Sequence, residues 1–164
     1  RDGTLIKTFV TRGKKPIAIK YLKDLRFINY SKLVIDKLKK KFLIFIITNQ
    51  PDVARGKNSK KNVILINSAI QKKFKVDKIF TSYSNNNKNF MRKPNPGMIY
   101  LAKKMYNLDL KKCYVVGDRD KDISAGKKAK CKTILINKVY NSKSDINSDF
   151  KINSLKDLFK IIKV

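Results

Sequence analysis

Phe42-Leu43-Ile44-Phe45-Ile46-Ile47 is an apolar run that follows a cluster of lysines and precedes Thr48-Asn49-Gln50. Its length and its branched side chains predict a β-strand that is buried on both faces, and such strands belong to parallel sheets. Three further apolar runs predict strands by the same criteria. They occupy residues 113–116, 133–136 and 78–81.

Apolar residues at helical spacing fill the segments between these strands. The predicted helices contain Leu33, Ile35 and Leu38; Val63, Ile66, Ile70 and Phe74 after a Ser59 cap; residues 97–106; residues 123–129; and Leu155, Leu158, Phe159 and Ile162 after a Ser154 cap. Strands that alternate with helices at these lengths predict βαβ units with right-handed crossovers. The predicted fold class is α/β, with three layers and a doubly wound, mostly parallel, Rossmann-like sheet in a single domain over residues 1–164.

The composition is strongly basic, with 40 Lys and Arg against 12 Asp and Glu and a formal net charge of +28. Such a charge favours nucleic acid or an anionic surface as a partner. The lysines are scattered among abundant Asn and Ile, however, and this pattern favours a coding bias. We therefore expect no specific nucleic-acid partner, although a basic field would still attract a phosphorylated substrate.

Length and residue usage restrict the class of protein further. Every apolar block is shorter than the ~18 residues that a membrane span requires, so no membrane partner is expected. The 164 residues suffice for one buried core. Cys113 and Cys131 lie far apart in apolar stretches and are predicted to be buried free thiols. These features lead us to expect a cytoplasmic monomer.

Polar residues that follow the predicted strands form the candidate site, because ligands bind at the carboxyl ends of strands in an open parallel sheet. Thr48-Asn49 follows one strand, and Gly117-Asp118 with Asp122 follows another. Asp2-Gly3-Thr4 opens the chain, and Arg92-Lys93 adds two cations. Phosphoryl transfer requires these chemical groups: carboxylates that bind a hard cation, hydrogen-bond donors for the phosphoryl oxygens and an acid that protonates the leaving group.

Each of these groups also has a purely structural explanation. Asp-Gly-Thr is usually a turn, a Thr-Asn at the end of a strand often bonds to its own loop, and Gly-Asp often caps a helix. The order and spacing of the groups along one chain are much more specific than any single group. The functional prediction therefore depends on the combination.

The combination resembles the motifs of the haloacid dehalogenase phosphatases. Their Asp-x-Asp-Gly-Thr motif is matched in its second half by Arg1-Asp2-Gly3-Thr4-Leu5, their second motif by Thr48-Asn49-Gln50, and their metal motif by Gly117-Asp118 through Asp122. Ala54-Arg55-Gly56 and the segment Arg92-Lys93-Pro94-Asn95-Pro96-Gly97-Met98 are similar to the D-glycero-D-manno-heptose 1,7-bisphosphate phosphatases and the related histidinol phosphatases. The resemblance covers nearly the whole chain.

This resemblance implies catalytic and metal-binding roles for the matching residues. Asp2 would act as general acid and then as base, and its backbone carbonyl would join Asp118 in binding Mg²⁺. Thr48 and Asn49 would bind the oxygens of the transferring phosphoryl group. Lys93 would neutralise the charge that grows on those oxygens.

Further roles follow for the residues around them. Arg92 would bind the substrate, because its planar guanidinium suits a phosphate or a polyol. Asp122 and Arg119 are expected to lie behind the metal ligands and to support them without touching the metal. No zinc is expected, because residues 82–91 contain no Cys and the chain contains no His.

The implied activity is Mg²⁺-dependent hydrolysis of a small phosphorylated metabolite, either heptose 1,7-bisphosphate or histidinol phosphate. The nucleophilic Asp of the first motif would stand directly before Arg1, on a strand of its own, so the 164-residue chain by itself is expected to be inactive. The chain would be part of a longer enzyme or a remnant without activity. Retention of Asp2, Thr48, Lys93 and Asp118 favours the longer enzyme.

Two other functions stay open on the sequence. A polynucleotide 3′-phosphatase would share the Asp-x-Asp-Gly-Thr, Thr-Asn-Gln and Arg-Gly elements and would suit a basic chain. A catalytically dead phosphatase fold that binds nucleic acid belongs to a different class. No large cap domain is expected, so substrate selectivity would depend on loops at residues 7–23 and 82–91.

Overall fold

Two parallel strand groups form the centre of the protein, in a computed structural model that describes residues 1–11, 16–141 and 146–163. The strands are β1 (Phe9–Val10), β2 (Pro16–Ile17), β3 (Phe45–Asn49), β4 (Lys78–Ser82), β5 (Tyr114–Gly117), β6 (Lys132–Ile136) and β7 (Phe150–Ile152). β3 pairs with β4 in parallel, and β6 lies between β5 and β7, also in parallel. β1 and β2 form a separate antiparallel pair.

The helices cover both faces of these strands. They are α1 (Ser31–Leu38), α2 (Lys60–Phe74), α3 (Gly97–Tyr106), α4 (Asp120–Lys128) and α5 (Leu158–Ile161). The largest buried cluster joins α1, α2 and the C-terminal residues to one face of the strands. α3 and α4 pack on the other face. This arrangement confirms the predicted three-layer, mostly parallel α/β class.

Several local predictions are confirmed. α2 begins after Ser59, whose hydroxyl accepts a hydrogen bond from the Asn62 amide at 3.0 Å. Its predicted apolar positions are all fully buried. α3 has the predicted bounds. These helices could be predicted because the capping residue and the helical spacing of the apolar residues both match the face that is buried in the structure.

Other boundaries were wrong. The strand predicted at residues 42–47 runs from Phe45 to Asn49, since β4 offers ladder partners as far as Ser82, and so Thr48 and Asn49 belong to the strand. In α1 the inward position is held by Val34, while Leu33 is 50% exposed. The predicted terminal helix is a 3₁₀ turn at Leu155–Asp157 followed by one short helix, α5.

The predicted loops and thiols also need correction. Residues 7–23 contain β1 and β2, and residues 12–15 of that predicted loop lie outside the described parts. β7 was not predicted because its run is short. Both cysteines are free thiols, but only Cys131 is buried and Cys113 is half-buried. Among the described residues, no helix has the length and apolar character that crossing a membrane would require.

Candidate active site

The candidate site lies at the carboxyl ends of β3 and β5. Most of the residues that the sequence predicts line one cavity there: Asp2, Thr48, Asn49, Lys93, Asp118, Arg119 and Asp122. The remaining predicted residue, Arg92, does not line this cavity. Parallel strands bring these side chains together, because equivalent ends of neighbouring strands meet at one edge.

Asp118 is the most buried carboxylate of the site, with 3% of its surface exposed. Tyr140 donates a hydrogen bond to Asp118 Oδ2, and the Asn141 side chain donates to the Asp118 carbonyl at 2.7 Å. Burial raises the pKa of the Asp118 carboxyl and the nearby charge of Asp122 raises it further, while the Tyr140 hydrogen bond lowers it in part. Within the described residues Asp118 makes no ion pair, so its negative charge has no cationic neighbour in contact.

Asp2 is held by two side chains. Arg1 donates from Nε to Asp2 Oδ2 at 2.9 Å and from Nη2 to Oδ1 at 3.0 Å, and Gln50 Nε2 donates to Oδ2 at 3.1 Å. Burial by itself raises the pKa of the Asp2 carboxyl, but the charge and hydrogen bonds of Arg1 outweigh it and lower the pKa below its usual value. Asp2 is therefore ionised, which suits a base. Gln50 also donates to Thr48 Oγ1 at 2.8 Å and so joins the two predicted residues.

Lys93 is fixed by three contacts. Its ammonium donates to the Ile47 carbonyl at 2.9 Å and to Asp122 Oδ1 at 2.6 Å. Asn49 binds the Lys93 backbone twice, donating to its carbonyl at 2.8 Å and accepting from its amide at 3.1 Å. The Asn49 side chain thus positions Lys93, and its predicted contact with phosphoryl oxygens stays a prediction.

Asp122 connects this lysine to the start of α4. Its second oxygen, Oδ2, accepts a hydrogen bond from the Arg119 amide at 3.1 Å. Burial by itself raises the pKa of the Asp122 carboxyl, but the charge of Lys93 and its hydrogen bond lower it below the usual value. Both carboxylate oxygens are therefore occupied by protein donors.

A group of cations lies near the start of α4, and two of them, Arg119 and Lys121, line the cavity. Arg92 donates from Nη1 to the Ser84 carbonyl at 2.9 Å and from Nε to Asn87 Oδ1 at 3.2 Å, which ties it to the loop after β4. Burial, together with the charges of Arg55 and Arg119, lowers the pKa of the Arg92 guanidinium. The pKa of Lys121 is lowered by burial and by the same three arginines. These four residues, which we call the basic rim, form a local positive field.

Sequence reasoning missed Arg1, Gln50, Tyr140 and Asn141 as site residues. Gln50 stood inside a quoted motif without a role. Tyr140 and Asn141 lie in the segment that follows β6, so the rule that directs attention to the carboxyl ends of strands could have found them. No sequence pattern could assign a role to Arg1, because its contact with Asp2 depends on the fold of the first turn.

Gly3 allows the first turn to approach Asp118. Its φ is +74°, and an added Cβ would lie 2.2 Å from Asp118 Oδ2 and 2.5 Å from the Tyr140 hydroxyl. We expect Gly3→Ala to destabilise the protein by roughly 2–5 kcal/mol, since left-handed strain and overpacking add. Gly56 is the matched control, because its φ is +68° and nothing lies within 4 Å of its added Cβ. Gly56→Ala should cost only about 1–2 kcal/mol in urea unfolding, and equal losses in the two variants would contradict the close approach.

Comparisons with known proteins identify relatives of this chain. Residues 90–158 match the model of the HAD-hydrolase-like family. A D-glycero-alpha-D-manno-heptose-1,7-bisphosphate 7-phosphatase from Photorhabdus laumondii is 32% identical over 148 residues, which cover 79% of this chain and 74% of the relative. A D-glycero-beta-D-manno-heptose-1,7-bisphosphate 7-phosphatase from Pasteurella multocida is 28% identical in an alignment 179 positions long, which covers 99% of this chain and 94% of the relative.

A solved structure shows the same fold. It is a D,D-heptose 1,7-bisphosphate phosphatase from B. bronchiseptica complexed with magnesium and phosphate, and its TM-score is 0.79 at 20% identity, over 98% of this chain and 97% of that chain. At 20% identity this structural match shows the fold alone. The family follows from the 32% identity to the Photorhabdus relative, which covers 79% of this chain. The chain therefore belongs to the haloacid dehalogenase-like phosphatases, in the family that includes the heptose 1,7-bisphosphate 7-phosphatases.

Proposed function

We propose that the protein is a Mg²⁺-dependent phosphomonoesterase that acts on heptose 1,7-bisphosphate through a phosphoaspartyl intermediate. The observation that carries the proposal is the convergence of Asp2, Lys93 and Asp118 on one cavity at the carboxyl ends of β3 and β5. We further propose that the substrate is a small phosphorylated metabolite, that no nucleic acid is a specific partner, and that the enzyme is a cytoplasmic monomer.

The carboxylates at this site fit magnesium. Asp118 is a buried carboxylate that makes no ion pair among the described residues, and the Tyr140 hydroxyl lies against it. Mg²⁺ in enzymes is typically held by one or two carboxylates together with waters and substrate phosphate. No group of three or more His, Cys, Asp or Glu that could hold a metal is found among the described residues. Asp118 and the Asp2 backbone carbonyl would hold the ion, which would supply positive charge for the phosphoryl oxygens.

The side chains then divide the chemistry. Lys93, held in place by Asn49 and Asp122, stabilises the charge that grows on the transferring phosphoryl group. Thr48 lines the same cavity and offers a hydroxyl. Asp2 is ionised and takes the proton from the water that hydrolyses the intermediate. Its earlier role as acid requires that Asp2 first gain a proton, which the Arg1 contact opposes.

The attacking carboxylate belongs to the proposal as well. By resemblance to Asp-x-Asp-Gly-Thr, an Asp directly before Arg1 would attack phosphorus, and the alkoxide would leave with a proton from Asp2. Water then attacks the phosphoaspartyl group and releases inorganic phosphate, so the carboxylate is regenerated.

The basic rim favours a bisphosphate over a monophosphate. The charges of Arg55 and Arg119 add to the effect of burial in lowering the pKa of Arg92, and together with Arg92 they do the same to the pKa of Lys121, so this surface favours an added anion. Histidinol phosphate carries a cationic amine in place of a second phosphate, and the rim would repel it. A polynucleotide 3′-phosphatase is the alternative that the net charge of +28 supports.

Phosphate release by the complete protein tests the proposal. Heptose 1,7-bisphosphate, histidinol phosphate and a 3′-phosphorylated oligonucleotide are compared at equal concentration with Mg²⁺, and the bisphosphate is expected to have the highest kcat/KM. Binding of a DNA duplex is measured in parallel from 50 to 200 mM salt, where a loss of about 10³-fold or more indicates simple counterion release. Preference for the oligonucleotide, with salt-resistant binding, would replace the sugar phosphatase by the polynucleotide enzyme.

Tyr140 gives a second test of the metal site. Tyr140→Phe removes the hydrogen bond to Asp118 Oδ2. We expect it to weaken Mg²⁺ affinity by roughly 10–100-fold, as loss of an outer partner of a metal ligand usually does. A titration with Mg²⁺, monitored by thermal unfolding and by the rate of phosphate release, measures the change, and excess metal should restore the rate.

Tyr106→Phe is the control, because its hydroxyl bonds the Asp77 carbonyl at 3.3 Å, away from this site. Unchanged Mg²⁺ affinity in Tyr140→Phe would contradict the proposed site.

A further inference from the structure

Cys113 and Cys131 stand opposite each other at the amino ends of β5 and β6. The parallel ladder pairs Tyr114 with Lys132, and the Lys132 amide donates to the Cys113 carbonyl at 3.0 Å, so the pairing extends one residue before both strands. Neighbouring strands lie ~4.8 Å apart. A disulfide joins residues whose Cα atoms are roughly 4.4–6.8 Å apart. The backbone spacing at this step of the ladder therefore suits a disulfide.

Both cysteine side chains lie on the strand face that α4 covers. An added Cβ at Gly126 of α4 would lie 2.8 Å from Thr133 Cγ2 and 2.9 Å from Val115 Cβ, so these two residues point towards α4. Side chains two positions apart share one face of a strand, which places Cys113 with Val115 and Cys131 with Thr133. The packing agrees, because Cys113 packs against the buried cluster that contains Cys131. The two thiols are therefore neighbours on one face.

The two thiols differ in access to solvent. Cys113 is half-buried and its Sγ donates to the Asp109 carbonyl at 3.3 Å, whereas Cys131 is 6% exposed. Burial raises the pKa of the Cys113 thiol, and the charge of Asp109 adds to the effect. Burial, with the charge of Cys113, raises the pKa of the Cys131 thiol to about 12. Both thiols are therefore protonated at neutral pH and exchange slowly, and Cys113 is the one that a reagent reaches first.

We propose that Cys113 and Cys131 form a redox-active dithiol, which a low-molecular-weight disulfide converts into an intramolecular disulfide between the starts of β5 and β6. Cys113 loses its proton and attacks the reagent, so that a mixed disulfide forms and one reagent thiolate leaves. Cys131 then loses its proton and attacks Cys113 Sγ, and the second reagent thiolate leaves. The two cysteines are oxidised, the reagent is reduced to two thiols, and these take up the two protons.

The bond closes the segment from Cys113 to Cys131, which contains β5, α4 and the carboxylates Asp118 and Asp122. Closing a loop of this length stabilises a fold chiefly by restricting the unfolded chain. The cysteines lie at the amino ends of the strands, whereas the candidate site lies at the carboxyl ends. Oxidation therefore stabilises the βα unit that carries the site and leaves the site side chains in place. Where thiols are kept reduced, the bond forms only transiently.

Incubation of the complete protein with glutathione disulfide tests the proposal. Peptide mapping without reductant should find Cys113 joined to Cys131, and dithiothreitol should reverse the change. In Cys131→Ala the reaction should stop at a glutathione adduct on Cys113, because the second thiol is absent. Cys113→Ala should stay largely unmodified, because Cys131 is buried. A persistent glutathione adduct on Cys113 of the parent protein, or two thiols that stay free in the folded protein, would overturn the proposal.

Stability gives a second readout. The oxidised protein is expected to unfold at a Tm roughly 5–10 °C above that of the reduced protein, and α4 amides should exchange hydrogen about tenfold more slowly. Cys113→Ala and Cys131→Ala, treated with the same reagent, should show neither change. A disulfide that left both Tm and α4 exchange unaltered would contradict the stabilised βα unit. Neither readout needs phosphate release, so failure of the proposed function would leave this result intact.

Discussion

Asp2→Asn in the complete protein is expected to lower the rate of phosphate release by roughly 10²–10⁴-fold, the usual contribution of general acid–base catalysis. The asparagine keeps the size of the side chain and can still accept a hydrogen bond from Gln50, but it cannot take a proton from water. Single-turnover and steady-state rates at saturating Mg²⁺ measure the loss. Replacing the Asp proposed directly before Arg1 with Asn should remove turnover completely, because an amide does not form the acyl phosphate.

The difference between these two variants identifies the roles. Asp2→Asn should still form the phosphoaspartyl group slowly, and the covalent species should be detectable by mass spectrometry after acid quench. The control is Asp120→Asn, which changes the same residue type at an exposed position at the start of α4, outside the cavity, and should retain near-normal rates. If Asp2→Asn lost less than about tenfold, Asp2 would not be the acid–base group.

Lys93→Met is expected to lower kcat by roughly 10²–10³-fold, because a preorganised charge beside the phosphoryl group is lost. The same change leaves Asp122 without its cation. The side chains of Lys93 and Asp122 are 10% and 13% exposed. Removing one partner of such a buried pair costs about 3–5 kcal/mol of folding stability. Urea unfolding and phosphate release, measured on the same preparation, give both quantities.

A double variant separates the two effects. Lys93→Met with Asp122→Asn removes both charges, so most of the lost stability should return, while an acceptor for the Arg119 amide is kept. Phosphate release should stay low. Recovery of the rate together with stability would show that Lys93 only supports the fold, and the proposed role in charge stabilisation would be wrong.

Acid stability provides an independent check on this pair. Asp122 has a lowered pKa in the folded protein, so its pairing stabilises the fold above its unfolded pKa of ~3.9 and the contribution is lost as pH falls through the folded value. The stability gap between the parent chain and Asp122→Asn should therefore shrink below about pH 4. A gap that stays constant to low pH would mean that the carboxylate charge is not what stabilises the pair.

Much of the site could be predicted because motif residues follow apolar runs directly. Thr48, Asp118 and Asp122 lie near the carboxyl ends of β3 and β5, as their position after those runs indicates. Arg92 was different: its predicted contact with substrate rested on sequence order, and the structure ties its guanidinium to Ser84 and Asn87. A long side chain can point in several directions from the same backbone position, and sequence order does not select among them.

By itself the sequence determined the α/β class, the bounds of α3 and the cap of α2, because spacing, branching and capping act over a few neighbouring residues. It also indicated which residues follow the strands. Only the tertiary structure decided that Tyr140 bonds Asp118, that Asn49 positions Lys93 and that Arg1 holds Asp2. These features depend on packing between segments that are distant in the chain, and local patterns carry no information about which distant side chains meet.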